Sequence, residues 1–266
     1  MGLKNVTLFL DPALSSLNYG DDIHDYPLMQ HPAQPAAIVA LYFVFVFSLG
    51  PKLMKNRQAF DLRKIMTIYN ITQILFNLVV FVMAAKVIQN FSLYCSPPNN
   101  SNTPLDISVR KIHYYYGVLK FLDLLDTIFF VLRKKPQQIT YMHVHHHVGM
   151  AATTWATAKY FPGGATGFIF FYNTLVHALM YGYYLMSSWN SAKAIWWKKY
   201  LTQIQIVQQL FYDTMFTIHL FNANCNYSKG WLMFYLCNTF LMTYFFSAFY
   251  KKNYMSKKQV SDRKIE

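Results

Sequence analysis

Thr140-Tyr-Met-His-Val-His-His-His-Val-Gly149 opens an apolar segment with four histidines, three of them, His143, His146 and His147, spaced H-x-x-H-H. On a helix, positions i, i+3 and i+4 share one face, so three imidazoles point the same way. Imidazole acts as nucleophile, proton carrier or metal ligand. Ionisable groups are costly to keep in an apolar span and mark function when they are kept there. The stretch therefore reads either as the polar working face of a membrane-embedded helix or as a polar helix end at the interface.

The rest of the chain decides between those two. It has 266 residues, 54% hydrophobic and only 13% charged, against about a quarter charged in soluble domains. The apolar residues come in blocks. Seven candidate transmembrane helices are read at 36–54, 65–88, 113–132, 140–160, 166–187, 200–221 and 230–250, each near the ~20 residues a bilayer requires. The first reaches Leu53 and Met54 only with Lys52 snorkelling. The expected fold is all-α: a lumenal segment 1–35, one seven-helix domain 36–250 and a basic cytosolic tail 251–266. The N-terminal residues, acidic at Asp21, Asp22 and Asp25, show no cleavable signal, and the C-terminus has no CaaX box.

The net charge of +13 is sorted by side rather than gathered into a nucleic-acid patch. The loops 51–64, 133–140 and 188–199 and the tail hold 17 Lys and Arg. The segment 1–35 and the loops 89–112, 161–165 and 222–229 hold 4. The positive-inside rule then places the N-terminus in the lumen and the C-terminus in the cytosol. Sequons agree: Asn5, Asn90, Asn99 and Asn226 fall in lumenal segments, and only Asn70 lies inside a span. Cys95 and Cys225 sit in two lumenal loops, where they are a disulfide candidate. Cys237 is read as packing in the last helix. With no cysteine on the cytosolic side, a cysteine nucleophile at the histidines is excluded.

Polar groups recur in the other spans. The third carries Lys120, Asp123, Asp126 and Thr127, and each unpaired charge there costs on the order of 2.5–3.5 kcal/mol. Lys120 and Asp123 could pair with each other. The fifth presents Asn173, His177, Met180, Tyr181 and Tyr184 on one face. In the sixth, Thr202, Gln205, Gln209 and Tyr212 form a stripe with Gln208 beside it. These glutamines read equally as interhelical glue or as substrate and oxyanion donors. At 1.5 Å per residue, Asp126, His146, His177 and Gln205 lie roughly 10, 9, 15 and 8 Å from the cytosolic ends of their helices. The lumenal halves are apolar and aromatic. This describes a site open to the cytosol and backed by a greasy cavity. It suits a substrate with a polar head, drawn in by the basic loops, and a long apolar tail.

Four motifs in order resemble those of the elongation-of-very-long-chain-fatty-acids family, the 3-oxoacyl-CoA synthases of the endoplasmic reticulum. K-x-x-E-x-x-D-T is matched at Lys120, Asp126 and Thr127, with Asp123 for Glu. H-x-x-H-H is matched at His143, His146 and His147. H-x-x-M-Y-x-Y-Y is matched in full at His177, Met180, Tyr181, Tyr183 and Tyr184. T-x-x-Q-x-x-Q is matched at Thr202, Gln205 and Gln208. His145 stands where the family has an aromatic, on a different face from the box, and reads as a pocket or interface residue.

The resemblance implies six helices in a barrel around an acyl tunnel, with one peripheral helix. It also implies the condensation of long-chain acyl-CoA with malonyl-CoA to 3-oxoacyl-CoA, CO2 and CoA. Its catalytic group would be His146 as acyl acceptor, with His177 opposite as base or donor and His143 and His147 orienting or polarising. Asp126 would hold a histidine tautomer beside Asp123. Lys120, Asn173, Tyr181, Tyr184, Gln205 and Gln208 would bind substrate, with Asn173 and Gln205 at the enolate oxygen. No bound cofactor or metal is expected. The partners would be acyl-CoA, malonyl-CoA, the lipid bilayer and the other enzymes of the elongation cycle, with homo- or hetero-oligomers and no nucleic acid. The ending Arg263-Lys264-Ile265-Glu266 resembles a dilysine retrieval signal and agrees with the endoplasmic reticulum. Two other readings use the same residues. A di-iron desaturase or hydroxylase needs several histidine clusters, and only one box is present. A seven-helix transporter or receptor needs polar groups through both halves of the membrane.

Overall fold

The computed structural model describes residues 23–99, 101–189 and 191–255, which are helical throughout apart from turns and one isolated bridge between Pro98 and Gly163. The sequon at Asn5, the acidic Asp21 and Asp22 and the Arg263–Glu266 ending lie outside the described residues.

The first helix, α1, runs over Ala33–Val44, loosens into a π turn at Phe45–Leu49 and ends over Gly50–Met54. Pro51 explains the loosening, since it has no N–H to return to the preceding turn. Lys52 is exposed. The helices α2 (Arg63–Ala85), α3 (Pro104–Leu122), α4 (Leu125–Leu132), α5 (Tyr141–Tyr160), α6 (Gly167–Trp189), α7 (Ser191–Phe221) and α8 (Lys229–Tyr250) follow. Helix α2 lies along α6, α7 along α6 and α8, and α3 along α5, while α1 packs on α4. Each of the seven apolar segments has a helix on it.

Four boundaries differ from the sequence expectation. The third helix begins at Pro104 rather than 113. Thr103 caps it by accepting from the N–H of Asp106, and proline suits the first helical position because it has no N–H to leave unsatisfied. The same segment divides at Asp123 and Leu124, where Asp126 and Thr127 donate to the carbonyls three residues back. Such i+3 bonds tighten a helix locally, and here they fall among the charged residues. The sixth helix begins at Ser191 rather than 200, because Ala and Lys in that stretch are good helix formers. The last helix continues as a π turn over Lys251–Met255, so those tail residues are helical.

Among the described residues, three helices, Ala33–Met54, Arg63–Ala85 and Lys229–Met255, are long and apolar enough to cross a membrane by length and composition. The others carry the lysines, aspartates, histidines and glutamines that face inward, which lowers their mean hydropathy. Exposed side chains such as Leu41, Phe47, Ile68, Leu75 and Phe221 cover the outside, a contiguous apolar surface that water would not tolerate. The chain is a multi-pass membrane protein.

The main core is aromatic and lies toward the end that carries the disulfide. It includes Tyr116, Phe170, Tyr212, Phe216 and Tyr235, with Phe216 stacked on Tyr235 at 5.2 Å. Cys95 and Cys225 are joined there with Cα atoms 5.3 Å apart, tying the loop after α2 to the loop between α7 and α8. The turn beneath them needs glycine. Gly163 and Gly164 have φ of 79° and 59°, and a Cβ on either would strike Asn99, or Ser96 and Tyr227. Cys237, expected to be packed, is exposed on the outer face of α8.

Candidate functional site

Helix α5 starts at Thr140, whose hydroxyl accepts from the N–H of His143 at 3.2 Å. This cap fixes where helical periodicity begins and so which histidines align. The rings of His143 and His147 lie 4.1 Å apart between centroids, and those of His146 and His147 5.8 Å. The Nε2 of His143 is 2.9 Å from the Thr127 hydroxyl on α4. Nδ1 of His147 is buried without a hydrogen bond.

Three cavities that share wall residues lie in sequence from the basic end of the molecule inward. The outermost, about 400 Å³, is lined by Arg63, Arg133, Lys198, Gln138, Tyr69 and Asn70, with Asp126 and Tyr184 among its walls. Asp126 and Tyr184 also line a middle chamber of about 210 Å³ with His143, His146, His147, His177, Thr202 and Gln205. His146 in turn lines an inner cavity of about 50 Å³ with His145, Asn173, Gln209, Tyr212 and Tyr235. His146 therefore stands at the junction between a polar chamber and an apolar one.

Behind the chamber wall lies a fully buried charge network. Lys120 Nζ donates to Asp123 Oδ2 at 3.0 Å and lies 3.3 Å from His177 Nδ1 and 4.9 Å above the Tyr116 ring. The other carboxylate oxygen of Asp123 accepts from Gln73 Nε2 and from the Tyr181 hydroxyl, each at 2.9 Å. The Tyr181 hydroxyl is also 2.9 Å from Asp126 Oδ2. An ammonium has no acceptor, so it is the donor to His177 Nδ1. With Lys120 as the donor the His177 proton sits on Nε2, while Asp123 Oδ2 also lies 3.5 Å from Nδ1, and the ring lines the chamber.

The expected site residues fall at different places around this network. The carboxylate beside a histidine is Asp123, 3.5 Å from His177 Nδ1, while Asp126 sits against Tyr181 and at the chamber wall. The one-carbon-shorter Asp123 reaches all its partners. Lys120 is held inside the network with its side chain 2% exposed, instead of reaching substrate space. Tyr181 is fully buried beside it, whereas Tyr184 lines two of the cavities. Of the adjacent glutamines, Gln209 lines the inner cavity, and Gln208 is buried with its carbonyl oxygen unpaired. The stripe spacing 202, 205, 209, 212 points to Gln209, and the motif to Gln208. Gln205 lies some 21 Å along the longer α7, yet still faces the histidines. Asn173 lines the inner cavity and accepts from Tyr116 at 2.8 Å. His145 stacks on Tyr141 and touches the inner cavity.

Helix α2 contributes a polar face that none of the four motifs marks. Asn70, Gln73 and Asn77 are all buried on one face of it. Their i, i+3, i+7 spacing in an apolar helix was the available signal, but Asn70 had drawn notice only as a sequon. Tyr69 completes this face, donating to the carbonyl of Leu122 at the break between α3 and α4. Among the described residues, no three His, Cys, Asp or Glu side chains converge as metal ligands would.

Residues 27–262 match the profile of the ELO family, described as GNS1/SUR4. The chain is 35% identical over 258 residues to very long chain fatty acid elongase 7 of Drosophila melanogaster, covering 95% of this chain and 78% of that protein. It is 40% identical over 218 residues to very long chain fatty acid elongase 7 of Rattus norvegicus, covering 77% and 74%. It is 35% identical over 210 residues to very long chain fatty acid elongase 1 of Homo sapiens, covering 77% and 75%.

Proposed function

The chain belongs to the ELO (GNS1/SUR4) family, and from that membership we propose that it is the condensing enzyme of fatty acid elongation, working through an acyl-histidine. The observation that carries the reading is the position of His146 between a polar chamber and an apolar cavity. A long-chain acyl-CoA lies with its phosphates among Arg63, Arg133 and Lys198, its thioester at His146 and its tail beyond. Seven helices span the membrane, six of them surrounding this path, with the basic end in the cytosol and the disulfide end in the lumen of the endoplasmic reticulum.

The first step is attack of the His146 imidazole on the thioester carbon. The carbon–sulfur bond breaks, and CoA leaves as the thiol after taking a proton. His177, donating from Nε2, stabilises the carbonyl oxygen as charge develops. Malonyl-CoA then enters through the outer cavity with its malonyl group in the middle chamber and loses CO2, and the enolate so formed is held beside His146 by Gln205 of that chamber and Asn173 of the inner cavity. Its carbon attacks the acyl group, the bond to His146 breaks, and 3-oxoacyl-CoA is released. The products are 3-oxoacyl-CoA, CoA and CO2, with one proton taken up overall.

The test uses purified protein in detergent. Long-chain acyl-CoA is added alone, and radiolabelled malonyl-CoA second. A burst of CoA equal to the enzyme present, followed by labelled CO2 and 3-oxoacyl-CoA, supports both parts of the proposal, and His146→Ala should lose the burst. Product formed only with both substrates together leaves the condensation standing and removes the acyl-histidine. Absence of product from folded protein that binds acyl-CoA removes the condensation itself.

A further inference from the structure

The first helix packs on the outside of α4, yet one of its side chains reaches the histidines. Tyr42 is 5% exposed, and its hydroxyl donates to Thr127 Oγ1 at 3.0 Å. Thr127 is fully buried, and the same Oγ1 lies 2.9 Å from His143 Nε2. These three groups form a chain from the periphery of the fold to the first histidine of the box.

We propose that Tyr42 is a positioning residue that fixes the tautomer of His143 through Thr127. A threonine hydroxyl has one proton to give and lone pairs to receive one. The phenol, with a reference pKa of about 10, is the stronger acid of the two hydroxyls and is the donor in their contact. Tyr42 and His143 are the two hydrogen-bond partners of Thr127 Oγ1 among the described residues, so the threonine proton has His143 Nε2 as its acceptor and that nitrogen is bare. His143 is held with its proton on Nδ1, and its ring is fixed against that of His147, 4.1 Å away. Without the phenol, Thr127 can donate to Nε2 or accept from it, and both tautomers of His143 become populated. Which nitrogen of a histidine carries the proton is set by such outer partners.

The ring of Tyr42 also packs with Val46, Met54, Leu124 and Val131, so Tyr42→Phe is the variant to use, since it removes only the hydroxyl. Thr127→Val removes the relay at near-constant shape, and Thr127→Ser keeps it. Full-length protein labelled with 15N-histidine in detergent is read by NMR, where protonated and bare ring nitrogens resonate far apart. His143 is assigned by its missing signals in His143→Gln. We expect a bare Nε2 in the parent and in Thr127→Ser, and mixed tautomers in Tyr42→Phe and Thr127→Val. Turnover should follow, with kcat of Tyr42→Phe lower by about threefold to tenfold at unchanged KM.

A protonated Nε2 in the parent, or an unchanged single tautomer in Tyr42→Phe, overturns the proposal. So does a Tyr42→Phe variant that loses thermal stability while its tautomer stays fixed. The turnover readout rests on the condensation proposed above; the tautomer readout does not, so a failure of either is visible separately.

Discussion

Lys120 and Asp123 form a 3.0 Å ion pair one helical turn apart, with side chains only 2% and 3% exposed. Both are shut away from the chamber, so the pair is sustained by mutual compensation and by the neutral donors Gln73 and Tyr181. Removing one partner of such a pair costs about 3–5 kcal/mol because the other charge is left buried. Lys120→Met should therefore lower thermal stability in detergent strongly. Adding Asp123→Asn should recover most of that loss without restoring activity, since His177 still lacks its Nδ1 partner. A Lys120→Met protein as stable as the parent would show that the carboxylate needs no cation.

Gln73 connects α2 to the same carboxylate. Gln73→Leu removes its donor contacts to Asp123 and Tyr69 and should cost about 1–3 kcal/mol of stability. Activity should fall chiefly in kcat, because Gln73 supports the wall of the chamber and is set back from substrate. A rise in KM alone would place Gln73 in contact with substrate instead.

The mouth residues should behave in the opposite way. Arg133→Ala or Lys198→Ala should raise KM for acyl-CoA roughly tenfold to a hundredfold with kcat nearly constant, and the effect should shrink at high salt. Arg63 is held by Asp61 through contacts of 2.7–3.1 Å. These hydrogen bonds from the Arg63 guanidinium hold the exposed Asp61 carboxyl down at about 2. The pair is thus complete above the usual carboxylate range and is lost only as pH falls toward 2. Asp61→Asn should lower KM by freeing Arg63, equally at pH 6 and pH 8. A change in KM between those pH values that Asp61→Asn abolishes would contradict this.

Chain length should depend on the inner cavity. Tyr235 lines it and is backed by Phe216, with its hydroxyl 2.6 Å from Thr157. Tyr235→Leu should extend the cavity toward Phe216 and shift the products to longer chains, as read by gas chromatography of the fatty acids formed. An unchanged product profile would put the closing wall elsewhere.

The disulfide should matter to endurance rather than chemistry. Cys95 and Cys225 are 130 residues apart, and removal of such a link costs about 2–5 kcal/mol. The double Cys→Ser variant should unfold at lower temperature yet turn over normally in the cold, because the histidines lie toward the opposite end of the bundle. Loss of cold activity at intact fold would couple the two ends.

Much of the site was legible because its signals are local. H-x-x-H-H selects a helix face by geometry alone, and charges inside apolar spans stand out against their neighbours. Asn70, Gln73 and Tyr69 were harder to see, since neutral polar residues in an apolar helix are common and acquire meaning only opposite Asp123. Tyr42 offered no signal at all, as one more aromatic in a helix full of them. The helix starts at 104 and 191 are hidden in the sequence because the stretches 104–112 and 191–199 carry charge and interrupt the apolar run, whereas a cap at Thr103 and helix-forming Ala and Lys extend the helices through them.

The sequence by itself determined which segments are apolar, which residues share a helix face and which end is basic. Each follows from composition and the 3.6-residue period, which act over a few residues. Only the tertiary structure decided that Lys120 pairs inward and that Asp123 rather than Asp126 stands beside His177. Those outcomes depend on how each helix is rotated against its neighbours and on the tightened turn at Asp123 and Leu124. Rotation is set by side-chain packing between segments far apart in the chain, which no local pattern encodes.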